Sequence, residues 1–68
     1  MLDLLQEYYK NNVYVNFVLK SGNRTIDGCI TRITWDDMDD VIHIIHPLTK
    51  EQSFFPLKMV ESVSILKS

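Results

Sequence analysis

From Val13 to Lys67 the chain is a succession of short β-rich runs separated by turn signals, with one glycine, Gly28, set inside a run. A glycine within a strand marks a bend or a close approach of backbone. Runs this short, in a chain of 68 residues, must share one small core. The rhythm predicts a small, strongly bent β-barrel or roll, an architecture that works mostly by binding.

Size sets the next constraint. A short chain buries a small fraction of its surface and usually needs a disulfide, a metal or a partner subunit to be stable. Cys29 is the single cysteine, so no intrachain disulfide forms. No Cys/His cluster has zinc spacing, so no metal site is expected. Self-association is the staple that remains, and a homo-oligomer is expected.

An apolar content of 46% is that of a folded domain. No apolar run approaches the ~20 residues of a membrane helix. Met1-Leu2-Asp3-Leu4-Leu5-Gln6-Glu7 has neither the basic region nor the cleavage site of a secretion signal. These features predict a cytoplasmic protein with no membrane partner. A net charge of −2 argues against a general phosphate-coating protein, although it leaves room for a local basic patch.

One domain is expected over residues 1–68, with a helix in about 1–12 and a β-barrel over 13–68. Leu2, Leu5 and Tyr9 recur at helical spacing, Asp3 with Gln6 resembles a capping box, and Asn11-Asn12 is a stop signal. The first strand is Val13–Lys20, with Val13, Val15, Phe17 and Leu19 on the core face at period two. Ser21-Gly22-Asn23 turns the chain, with Gly22 or Asn23 at positive φ. In the second strand, Arg24 to about Trp35, the apolar phase slips between Ile30 and Ile33. That slip predicts a bulge or sharp bend, eased by Gly28. Asp36–Asp40 reads as an acidic turn, Val41–His46 as a third strand and Glu51–Phe55 as a fourth. A helical turn over Leu57–Val60 and a fifth strand over Glu61–Leu66 complete the order.

A short helix followed by five strands, the second bent at a glycine, resembles the Sm-like fold of the LSm and Hfq type. Leu19-Lys20-Ser21-Gly22-Asn23 followed by Gly28-Cys29-Ile30 is similar to the family pattern across its first two strands. Asp37-Met38-Asp39 resembles its Met-Asn loop, and Val60-Glu61-Ser62-Val63 the end of its last strand. The order also resembles small Sm-like proteins of Gram-positive bacteria and phages, such as the YolD-like group. The resemblance implies a barrel that assembles into a ring and binds RNA. The family's basic RNA motif near the last turn is replaced by Pro56-Leu57-Lys58-Met59, and Asp39 stands at the base-contacting asparagine. A carboxylate there repels phosphate.

Three functional readings follow. The first is a small non-enzymatic regulator or adaptor acting through protein contacts on the barrel. Its surface is Trp35 with Asp36, Asp37, Asp39 and Asp40, together with Phe54 and Phe55. The two phenylalanines face opposite ways on a strand, so one of them lies outside the core. The alternative is an RNA-binding Sm-like oligomer using Lys20, Arg24, Arg32 and Lys58, with Tyr14 as a stacking ring. The third is a subunit of a larger assembly that docks by edge addition through the third strand or the helix. His43 and His46, three apart on a strand, point to opposite faces and read as structural. Cys29 reads as a small packed side chain. No nucleophile, general base or phosphate-cradling loop is visible, so neither an enzyme nor a cofactor is expected.

Overall fold

The computed structural model of the chain describes residues 1–22 and 24–66. Asn23, one of the two residues expected at positive φ in the first turn, and Lys67, the end of the β-rich stretch, lie outside them.

The leucine spacing at the start produces helix α1, Leu2–Lys10. Leu5 is fully buried, with Leu2 and Tyr8 half-buried on its flanks and Tyr9 turned outward. The N-terminal signal works differently from a capping box. Met1 is the N-cap, no side chain caps it, and Asp3 sits inside the first turn, where its charge suits the helix dipole. At the other end Asn12 takes φ 55°. Its N–H donates to the Tyr9 carbonyl and the Val13 N–H to that of Tyr8. This is a Schellman ending with asparagine in the left-handed position.

Five antiparallel strands follow: β1 (Tyr14–Leu19), β2 (Thr25–Asp36), β3 (Asp39–Ile45), β4 (Gln52–Pro56) and β5 (Val60–Ile65). A 3₁₀ turn over Leu57–Met59 joins the last two. They form one sheet in the order β4-β3-β2-β1-β5. The sheet is open, which corrects the expectation of a closed, strongly bent Sm-like or SH3-like barrel. Among the described residues its two ends, β4 and β5, do not pair with each other. The three-residue 3₁₀ turn sends β5 to the free side of β1, the far end of the sheet from β4. β4 itself has five residues and stops at Pro56, which has no N–H to extend a ladder.

The sheet nevertheless curls over its own core. Phe17 on β1 and Phe55 on β4 meet edge-on with ring centroids 5.0 Å apart. Those strands are three spacings apart, about 14 Å in a flat sheet. Leu5, Val15, Ile42, Ile44 and Val60 complete the centre of this core.

Three irregularities accompany the curl, the first a bulge at Glu61, the extra residue where the β1–β5 register shifts between Val18 and Leu19. Thr31 is the extra residue where the β2–β3 register shifts between Ile30 and Arg32, at the phase slip seen in the sequence. Gly28 lets the Ile45 carbonyl approach, since a Cβ there would lie 2.8 Å from that oxygen. Among the described residues no helix is long and apolar enough to cross a membrane.

Candidate surface at the open edge of the sheet

The acidic segment is a tighter structure than a five-residue turn. Only Asp37 and Met38 turn, at φ 51° and 64°, while Asp36 and Asp39 pair as the last rung of β2 and β3. Positive φ at both central residues defines a type I′ hairpin, which matches the twist of the strands it joins. Asp39 is committed locally. One carboxylate oxygen accepts its neighbour's N–H, that of Asp40, at 2.9 Å, and the other accepts the Lys58 N–H at 3.1 Å.

Strand parity then divides the predicted surface. Cross-strand partners share a face. The rungs Arg32–His43–Phe54 and Thr34–Val41–Pro56 and the pair Asp36–Asp39 lie on the outer side of the sheet. Trp35 and Asp40 pair on the opposite side, in phase with Ile33, Ile42 and Phe55. Trp35 projects beyond the end of the core and is 68% exposed. Phe55 is 5% exposed and belongs to the core, whereas Phe54 is 73% exposed. The structure thus brings Phe54 together with Asp36, Asp37 and Asp39, and separates them from Trp35, Asp40 and Phe55.

The outer group surrounds a shallow cavity of about 300 Å³. Val41, Phe54 and Pro56 give it apolar walls, and Asp36, Asp37, Asp39 and Lys58 form a charged rim. His43 steadies Phe54. Its ring lies 5.8 Å from that of Phe54, and its Nε2 is 3.0 Å from Thr34 Oγ1. On the inner side of β4 a second hollow, about 350 Å³, is lined by Leu19, Ile26, Phe55, Pro56, Met59 and Arg24, among others. It is the part of the core face that an additional strand would cover.

Between the two hollows runs the free edge of β4. The His46 N–H donates to the Glu51 carbonyl, which fixes the ladder phase. Counting by two in an unbroken antiparallel register, Ser53 and Phe55 bond to β3, and Gln52, Phe54 and Pro56 direct their backbone groups outward. Pro56 stands where a missing N–H removes no ladder bond.

The positive residues do not form one patch. Lys20 and Arg24 flank the β1–β2 turn, Arg32 lies on the outer face beside His43, and Lys58 sits on the 3₁₀ turn. Tyr14 is engaged elsewhere, with its hydroxyl 3.3 Å from His46 Nε2 and the rings edge-on. His46 Nδ1 accepts the N–H groups of Leu48 and Thr49, which leaves Nε2 to face the Tyr14 hydroxyl. Among the described residues no three His, Cys, Asp or Glu side chains gather as a metal site would need.

Sequence reasoning missed Val41 and Pro56, and with them the inner wall of Leu19, Ile26 and Met59. The near-continuous hydrophobicity of Val41–Ile45 was the available signal. Alternation assigns Ile42 and Ile44 to the core and leaves Val41 and Ile45 over for the outer face.

Compared with known proteins, the chain matches no family model, no curated protein and no solved structure. The Sm-like identification, the YolD-like grouping and the RNA-binding ring therefore find no support in similarity. The open sheet also removes the barrel on which both the adaptor and the RNA-binding readings were built.

Proposed function

We propose that this chain binds an extended segment of a partner protein by strand addition at the free edge of β4. The observation that carries the reading is Phe54: it sits on an open edge, 73% exposed, with its backbone N–H and carbonyl directed away from β3. Exposed edges are templates for further strands, and proteins that do not use them usually blunt them. Here only Pro56 interrupts the edge. Hollows on both sides of β4 offer seats for the alternating side chains of an incoming strand. This mode of binding requires an open sheet.

Selection of peptides from a random display library tests the proposal. Peptides retained by the wild-type chain are expected to alternate apolar and polar residues. They should be lost from Phe54→Pro, which removes an outward donor and no ladder bond, and be weakened by Phe54→Ala. A selection that enriches nothing, or peptides indifferent to Phe54→Pro, contradicts it.

A second copy of the chain is the second source of such a strand. β5 is the other edge, and it alternates Val63 and Ile65 with Ser62 and Ser64, with Ile65 54% exposed. Light scattering over a concentration series separates the cases: a mass that rises with concentration favours the second copy, and a constant single-chain mass contradicts it.

A further inference from the structure

We propose that the strand accepted by β4 belongs to a different protein and alternates apolar with basic side chains. The inference rests on the strand-addition reading and specifies the partner's chemistry. A strand laid against β4 presents successive side chains to opposite sides. Those on the inner side enter the hollow between Leu19, Ile26 and Met59, where an apolar side chain extends the core. Those on the outer side lie over Phe54 and reach the rim formed by Asp36, Asp37 and Asp39.

The outer side selects for cations on two grounds. The exposed face of the Phe54 ring attracts an ammonium or guanidinium. Three carboxylates at the rim face one ammonium, that of Lys58, with Arg32 further along the outer face. Asp36 and Asp37 have no ion-pair partner among the described residues and are exposed, so their charge is available. Asp39 faces the same cavity, with its two oxygens engaged by the Asp40 and Lys58 N–H groups.

The chain's own β5 does not supply this pattern. Its residues opposite in phase to Val63 and Ile65 are Ser62 and Ser64, with Glu61 at the bulge. A second copy would place hydroxyls and a carboxylate over an acidic rim.

Three short synthetic peptides test the inference, each alternating valine with one other residue: lysine, threonine or glutamate. Binding is read by fluorescence anisotropy against the wild-type chain, Asp36→Asn/Asp37→Asn, and Glu7→Gln/Glu61→Gln. The last pair removes the same charge at exposed positions on α1 and at the β5 bulge. The lysine peptide is expected to bind about three- to tenfold more tightly than the threonine peptide at low salt, the range for one or two exposed ion pairs. That advantage should vanish in Asp36→Asn/Asp37→Asn, persist in Glu7→Gln/Glu61→Gln and shrink in high salt. Equal binding of all three peptides overturns the charge inference and leaves strand addition standing. Binding of none overturns both. Equal loss in the two double variants assigns the effect to net charge and overturns the proposed rim. Self-association that shuts out the lysine peptide replaces the foreign partner with a second copy.

Discussion

The Asp39 carboxylate, at the start of β3, accepts the backbone N–H of Lys58 from the 3₁₀ turn nineteen residues later, at 3.1 Å. This bond ties the tip of the β2–β3 hairpin to the segment that leaves β4. It holds the acidic rim beside the free edge, so the outer cavity has a fixed shape. Charge at this position therefore serves structure first.

Asp39→Ala should accordingly destabilise the fold by about 1 kcal/mol, the usual effect of losing a side-chain cap. Asp36→Ala, and Asp37→Asn, which keeps a residue that tolerates the left-handed φ of 51°, should stay within about 0.5 kcal/mol, since neither carboxylate has a hydrogen bond among the described residues. Urea unfolding of the three variants checks this. Equal effects at all three positions would mean that the Lys58 bond contributes nothing.

The adjacent phenylalanines should respond in opposite ways. Phe55→Ala removes a buried ring packed on Phe17 and should cost about 3–5 kcal/mol, as large core truncations do. Phe54→Ala should cost little more than an ordinary surface change, about 0.5 kcal/mol, while weakening peptide binding. Thermal unfolding of both variants measures the contrast.

Gly28→Ala should destabilise by about 1–3 kcal/mol, because the new methyl meets the Ile45 backbone at 2.8 Å and overpacks a rigid contact. Gly22 has open space around it and φ +67°. Gly22→Ala should cost about 1 kcal/mol through backbone strain alone. Gly22→Asn should recover part of that loss, since asparagine tolerates this conformation, and Gly28→Asn should be worse than Gly28→Ala. Denaturant midpoints of the four variants distinguish a steric glycine from a conformational one.

Met38 occupies the left-handed region at φ 64° and is almost fully exposed. A type I′ hairpin prefers glycine at this position. Met38→Gly should stabilise the protein by about 0.5–1 kcal/mol, the strain relieved exceeding the extra entropy of the unfolded glycine. A lowered melting temperature would show that Met38 makes a contact that outweighs its strain.

The local rules were legible in the sequence. The leucine period gave α1, and Asn11-Asn12 gave its stop. The phase slip after Ile30 lies at Thr31, where the register shifts. The inequivalence of Phe54 and Phe55 followed from strand parity. Closure was not legible. It depends on whether β4 and β5 meet, and that is decided by where a three-residue 3₁₀ turn sends the chain and by the few residues β4 has before Pro56. The acidic surface was half legible. Asp36 to Asp40 are near in sequence, but a hairpin as tight as Asp37-Met38 sends neighbouring residues to opposite faces. Asp40 and Trp35 therefore left the group that Val41 and Pro56 joined.

Amide hydrogen exchange at Phe54, followed by NMR with and without the alternating valine–lysine peptide, tests the central claim most directly. The Phe54 N–H faces away from β3 and should exchange fast in the free protein, while those of Ser53 and Phe55 are protected by the ladder. If β4 accepts a strand, adding the peptide should protect Phe54 selectively. A Phe54 amide that is already protected in the dilute free chain, or that stays unprotected when the peptide saturates it, would contradict strand addition at this edge.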